Sequence, residues 1–221
     1  MNIICIIPAY NEAKTITKVI TAVRPYVSEI VVVDDASTDN TKELANLAGA
    51  TVLKHQINRG QGAALQTGND YALSKKADII IHFDADDQFQ ADEIPIMIAP
   101  LKHKQADIVF GSRFLTKKNK LPKTKQYLIY PLAKLFSRLI LGIKLSDPQN
   151  GFRALNRKAA EKIKIENRAM AHNSEIQSKA FQLGLRIAEV PITVTYHEFG
   201  QKFSGGLKII KDLLIHKIIK Q

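Results

Sequence analysis

Three stretches of this chain end an unbroken run of apolar, mostly β-branched residues on a polar or acidic cluster. They are "IICIIPAYNE" (3–12), "EIVVVDDASTDN" (29–40) and "ADIIIHFDADDQF" (77–89). Apolarity without in–out alternation marks a strand buried on both faces, and such strands belong to parallel sheets covered by helices. The intervening segments agree. Ile16, Val19, Ile20 and Val23 recur at helical spacing, "TKELANLAG" (41–49) follows a turn that offers Asp34, Ser37 or Asp39 as a cap, and "NRGQGAA" (58–64) opens a longer helix after the short strand "TVLKH" (51–55). The pattern predicts an α/β fold with a mostly parallel central sheet flanked by helices. Ligands of such sheets bind outside the carboxyl ends of the strands. Pro8–Glu12, Asp34–Asp39 and Asp84–Gln88 are therefore expected to converge.

The second half is less regular. "ADIVFGSRF" (106–114) reads as a strand with Gly111 and Arg113 just past its end, and "SDPQNGFRALNRKAAEKI" (146–163) as a loop followed by a helix. "NSEIQSKAFQLG" (173–184) reads as a helix capped by Asn173 or Ser174, and "LRIAEVPITVTY" (185–196) as a strand. No repeat or linker breaks the 221 residues. The expectation is one domain, with residues 206–221 as an amphipathic tail. The apolar run at the N-terminus is too short for a signal peptide or a membrane span. Lone Cys5 has no partner for an internal disulfide and fits a reducing compartment.

Charge divides the molecule. The net charge is +11, yet residues 1–100 carry 8 Lys/Arg against 13 Asp/Glu, whereas 101–144 carry 11 against Asp107 alone. An acidic front and a basic patch read as two jobs. The patch suits a phosphorylated ligand or an anionic membrane surface, against which the amphipathic segment 126–142 and the tail would lie without spanning. Packing on the protein's own sheet is the competing reading for 126–142. A nucleic-acid partner is disfavoured: the patch has no interleaved aromatic platform, and the acidic half repels phosphate chains.

Asp84 and Asp86 form a D-x-D pair at a strand end, offering hard oxygen ligands suited to Mg²⁺ or Mn²⁺, with the Gln88 carbonyl within reach of the same ion. A solvated acidic turn is the plain alternative. Asp35 is placed to accept hydrogen bonds from a ribose or base, and Glu12 either supports a helix's first turn or reaches the same ligand. "NRGQGAA" lacks the endings of a P-loop or a dinucleotide fingerprint, which weakens kinase and dehydrogenase readings.

Taken together, "IIPAYNE", "VVVDDASTDNT", "NRGQGAA", "FDADDQ", "GSRF", "DPQNGFRAL" and "RIAEVPI" resemble glycosyltransferase family 2, in the family's order, across residues 3 to about 205. The nearest branch is that of the polyprenol-phosphate sugar transferases, the dolichol-phosphate mannose synthase-like enzymes. The resemblance implies a GT-A fold and inverting transfer of a hexose from a nucleoside diphosphate sugar of the GDP-mannose or UDP-glucose type. The acceptor it implies is a polyprenyl phosphate at the cytoplasmic face of a membrane, where a separate membrane protein is a possible partner. A family 2 transferase acting on a sugar hydroxyl is the alternative.

Carried over by position, residues 1–112 form the nucleotide-sugar and metal half and 113–205 the acceptor half. Pro8, Tyr10, Glu12, Asp35, Asp84 and Lys202 line the nucleotide-sugar site; Asp84, Asp86 and Gln88 hold Mg²⁺ or Mn²⁺; Asp86, Arg113 and Asp147 serve catalysis. Asp147 and Glu175 are the candidate general bases if the acceptor is a hydroxyl, their competing roles being a partner for Arg153 or the loop backbone and a first-turn helix residue. The chain also departs from that branch. Gln126 and Tyr130 stand where an Arg and a Ser would grip the acceptor phosphate, with Lys125 nearby, and His197 stands where a late Arg is expected.

Overall fold

The computed structural model describes residues 1–116, 145–167 and 171–195. Segments 126–142 and 206–221, and residues Lys125, Gln126, Tyr130, His197 and Lys202, lie outside the described residues.

The seven described strands form one sheet in the order β3-β2-β1-β4-β6-β5-β7. Strands β1 (Ile3–Ala9), β2 (Glu29–Asp34), β3 (Thr51–Lys54) and β4 (Ile79–His82) run parallel, as the apolar runs predict. Strand β5 (Ile108–Ser112) pairs in parallel with β7 (Ile187–Pro191). Between β4 and β5 lies β6 (Arg153–Asn156), antiparallel to both. Here the structure corrects the sequence reading, which had 146–163 as a loop and a helix. "RALN" has no β-branched residue, and it becomes a strand because two neighbours supply ladder partners on either side. Gly111 likewise lies inside β5, opposite Val190, rather than past its end.

Alternate residues of the parallel strands feed two cores. Ile3, Cys5 and Ile7 of β1 face one, with Ile16, Val19, Ile20 and Val23 of α1 (Ile16–Val23) and Ile94, Met97 and Ile98 of α4 (Ile94–Lys102). Ile4 and Ile6 face the other, with Ala64, Leu65 and Ala72 of α3 (Gln61–Ser74), Ala159 and Ala160 of α5 (Arg157–Lys162) and Ile176 of α6 (His172–Gln182). Helix α2 (Thr41–Leu47) adds buried Ala45 to the first core. Burial pushes the Cys5 thiol far above its ordinary value, so it stays an uncharged core residue. Helix α3 lies directly on β1, because a Cβ at Gly68 would come within 2.3 Å of Ile6 Cγ2. That close seat brings the first residue of α3 to the carboxyl end of β4.

One capping expectation is corrected and another narrowed. Helix α6 starts at Ala171 without a side-chain cap, because the Asn173 carbonyl oxygen accepts from the buried Arg153 instead. Helix α2 follows Asn40, which makes no side-chain cap; of the three expected caps only Asp39 reaches a first-turn N–H, its Oδ1 accepting from Thr41 (3.0 Å). The turn before it bonds mainly across to the loop after β1: Asn11 N–H donates to Ser37 Oγ (2.9 Å), Glu12 N–H to Thr41 Oγ1 (2.8 Å) and Ala13 N–H to Asp39 Oδ2 (3.2 Å).

Candidate active site

The loops after β1, β2 and β4 each contain a non-glycine residue in the left-handed region: Asn11 (φ 58°), Ala36 (φ 64°) and Asp87 (φ 60°). Such a residue ordinarily costs on the order of 1–2 kcal/mol. Asn and Asp tolerate this region, so of the three adjacent strand ends the backbone is held against its preference chiefly at Ala36. At Asp87 the turn sends the carboxylate outward, where Lys18 Nζ meets it at 2.5 Å. Asp84 and Asp86 remain on the site.

Asp84 is partly buried, and Gln61 Nε2 at the start of α3 donates to its Oδ1 (2.9 Å). Burial first, and then the Asp86 charge, push Asp84 up to about 7, against the opposing pull of Arg153 and the Gln61 bond. Burial also raises Glu12, helped by Asp86 and Asp39 and opposed by a hydrogen bond from Thr15. At Asp84 the nearby Arg153 charge therefore does not offset burial and the repulsion of Asp86. Among the described residues no group of three or more His, Cys, Asp or Glu side chains has metal-holding spacing. A cation here would rest on Asp84 and Asp86 and complete its shell with water and ligand oxygens, which is how Mg²⁺ is usually held. Two adjacent hard carboxylates, one of them pushed up by burial and by the other's charge, fit Mg²⁺ or Mn²⁺. Gln88 is engaged through its backbone: its N–H donates to Asp86 Oδ1 (3.2 Å) and its carbonyl accepts from Thr195 (2.9 Å).

Pro8 is buried in β1 opposite Val33, and Tyr10 stands 48 % exposed at the mouth beyond it. Asp35 is buried. Its carboxylate accepts from the N–H groups of Arg59 (2.8 Å) and Gly60 (2.6 Å) and meets His55 Nδ1 at 2.7 Å. It thus ties the Gly-rich loop to the end of β2. Gly60 has φ 89°, a conformation side chains resist. Gly62 has a packing role, since a Cβ there would lie 1.9 Å from the Asn167 carbonyl oxygen.

On the other flank, Asp147 is buried and holds Arg113 by two parallel bonds: Nε to Oδ2 (2.7 Å) and Nη2 to Oδ1 (2.8 Å). The Arg113 N–H adds a third at 3.0 Å. Asp147 thus aims an arginine, and its partner is Arg113, not Arg153. Glu175 accepts from the N–H groups of Glu166 and Asn167 and pairs with Lys179 at 2.7 Å. Burial raises its carboxyl, but these bonds, led by Lys179, outweigh that and hold it below its ordinary value.

Behind Asp84 lies a buried polar group. His82 meets Asn69 Oδ1 at 2.8 Å, and burial, with the charges of Arg153 and His172, holds its imidazole neutral. Arg153 is fully buried and donates to the carbonyls of Gly151 (3.0 Å) and Asn150 (3.3 Å) and to Asn173. Gln61 and Arg153 were both visible inside the quoted motifs. No spacing rule, however, assigns a role to a lone Gln or to an Arg within an apolar run.

A seven-stranded mixed sheet of this order, flanked by helices, is that of a GT-A fold, and comparison with known proteins agrees. The family model described as glycosyl transferase family 2 matches residues 4–164. The chain belongs to that family and is a glycosyltransferase. It is 34 % identical to a UDP-N-acetylglucosamine–dolichyl-phosphate N-acetylglucosaminyltransferase of Methanococcus voltae, over 97 % of this chain and 96 % of that protein. It is 31 % identical to an undecaprenyl-phosphate mannosyltransferase of Micrococcus luteus, over 94 % and 89 %. Among solved structures, a glucosyl-3-phosphoglycerate synthase of Mycobacterium tuberculosis, crystallised with Mn²⁺, UDP and glucosyl-3-phosphoglycerate, superposes with a TM-score of 0.73 at 22 % identity. The match covers 96 % of this chain and 78 % of that one.

Proposed function

We propose that the protein moves a hexose, with inversion, from a nucleoside diphosphate sugar to a polyprenyl phosphate at the cytoplasmic surface of a membrane. The observation that carries this reading is the occupation of both candidate bases. Asp147 is fully engaged by Arg113, and Glu175 by Lys179 and backbone N–H groups. A hydroxyl acceptor attacks better when a base removes its proton, whereas a phosphate is already ionised near neutral pH. Engagement of both candidate bases among the described residues suits the second. The names of the M. voltae and M. luteus relatives, which carry dolichyl phosphate and undecaprenyl phosphate, support the same acceptor class. Their different sugars leave the donor open between UDP- and GDP-linked hexoses.

In this reading Pro8, Tyr10 and Glu12 line the nucleoside side and Asp35 holds the loop that closes it. Asp84 and Asp86, with Gln88, would hold Mg²⁺ or Mn²⁺, which supplies charge neutralisation for the departing diphosphate. Arg113, fixed in direction by Asp147, presents a guanidinium to the incoming phosphate and to the charge that develops during transfer. Residues 1–112 thus serve the donor and 113–205 the acceptor, with Lys202 contributing to the diphosphate contacts. Among the described residues no helix is long and apolar enough to cross a membrane. The excess of Lys and Arg over 101–144 would bring the enzyme to an anionic lipid surface, each contributing about 1 kcal/mol.

The test is a transfer assay with radiolabelled UDP- and GDP-hexoses, Mn²⁺, and vesicles containing polyprenyl phosphate or the dephosphorylated polyprenol. Label extracted with polyprenyl phosphate but not with the alcohol supports the proposal. Label transferred only to a sugar hydroxyl would favour the glycan-directed alternative.

A further inference from the structure

Arg153 is one of the largest fully buried side chains of the molecule, and its position is unusual for a cation. Its guanidinium donates to two consecutive carbonyls of the 147–151 loop, at Asn150 and Gly151, and to the side chain of Asn173 on α6, while Nη1 is buried without a hydrogen-bond partner. The loop it fastens has two working ends. At one, Asp147 grips Arg113, with Asn150 Nδ2 3.4 Å from Asp147 Oδ2. At the other, Gly151 packs so tightly on Asp84 that a Cβ would lie 2.7 Å from Oδ2. The carboxylate of Asp84 is thereby held between Gln61 on one side and the loop on the other.

Nothing in the packing of a core requires an arginine here. Removing a guanidinium from water is costly, and apolar replacements of buried charges are often neutral or stabilising. A buried charge kept beside an acidic site points to a function for its forked shape, since only a planar fork reaches two adjacent carbonyls and a third acceptor at once.

We propose that Arg153 is a positioning residue that locks the metal-facing carboxylate of Asp84 and the loop gripping Arg113 into one arrangement, linking the donor and acceptor sides. This rests on the donor-and-cation reading given above. Arg153 touches no substrate; it acts through Gly151 on Asp84 and through the 147–151 loop on Arg113.

The test measures Mn²⁺ affinity by electron paramagnetic resonance titration, alone and with UDP or GDP, for wild type, Arg153→Lys and Gly151→Ala. Melting in EDTA is recorded alongside. Arg153→Lys keeps the charge but loses the fork, and Gly151→Ala disturbs the seat of Asp84 while leaving Arg153 intact. Changes to groups that orient metal ligands typically cost about 10–100-fold in affinity, and both variants are expected to weaken Mn²⁺ in that range. Guanidinium ion added to Arg153→Ala is expected to restore part of the loss. Lowered melting in EDTA with unchanged Mn²⁺ affinity in both variants would make Arg153 merely structural and overturn the inference. Wild type without Mn²⁺ binding in any condition would overturn the donor-and-cation reading and this inference with it.

Discussion

Replacing Asp86 with Asn should make the metal-free protein more stable while abolishing its response to Mn²⁺. The reasoning starts at Asp84, whose carboxyl is pushed from an ordinary 3.8 to about 7 by burial and by Asp86. At 1.36 kcal/mol per pKa unit, that shift corresponds to an upper bound of about 4 kcal/mol between its protonated and ionised forms. Asp84 is partly open to solvent, so the realised value is smaller. Because the folded value lies above the unfolded one, the folded state binds more protons between about pH 4 and 7. The destabilisation therefore grows as pH rises through that window and is complete above about 7. Burial is the larger cause and stays in the variant. Removing the Asp86 charge should return the Coulomb part, on the order of 1 kcal/mol.

The assay is urea denaturation in EDTA at pH 5 and pH 8, repeated with Mn²⁺ and UDP or GDP. Asp86→Asn is expected to gain about 1 kcal/mol over wild type at pH 8 and almost nothing at pH 5, and to lose the stabilisation that ligand gives wild type. A variant less stable than wild type in EDTA at pH 8, or one still stabilised by Mn²⁺, would refute the argument that these carboxylates are kept together for a cation.

Other outcomes follow from the same geometry. Mn²⁺ affinity of the wild type should fall by about tenfold for each pH unit below about 7, because Asp84 must lose its proton to bind; calorimetric titration at pH 6, 7 and 8 reads this. Asp147→Asn should lower transfer by tenfold or more while leaving Mn²⁺ affinity and the acidic limb of the pH–rate profile in place, since Asp147 aims Arg113 and takes no proton. Loss of that limb would make it a base. Gly68→Ala should destabilise the fold by about 1–3 kcal/mol in urea unfolding, because a methyl group there would press into Ile6. Ala36→Gly, at a φ of 64°, should leave the protein as stable or slightly more so, the relief of strain exceeding the entropy lost.

What the sequence reveals of this fold depends on which force shapes each part. Strands β1, β2 and β4 are legible because their apolar β-branched runs have one reasonable environment, the middle of a covered sheet. Strand β6 is not, because "RALN" becomes a strand only once β4 and β5 flank it. The D-x-D pair stood out in the sequence as a candidate site because clustered like charges need an explanation. Asn173 looked like a cap by local chemistry, and a buried arginine 20 residues earlier took its oxygen instead. Asp147 and Glu175 were plausible bases until their partners were visible. Whether a carboxylate is available or engaged is a property of the three-dimensional surroundings, and no motif encodes it.

The central claim is that Asp84 and Asp86 bind a sugar nucleotide through a divalent cation. The most direct measurement is isothermal titration of UDP- and GDP-hexoses into wild type and Asp84→Ala, with Mn²⁺ and with EDTA. The account predicts saturable binding of one donor in Mn²⁺ that is lost both in EDTA and in the variant. Equal binding with and without the cation, or no binding of any donor, would contradict it.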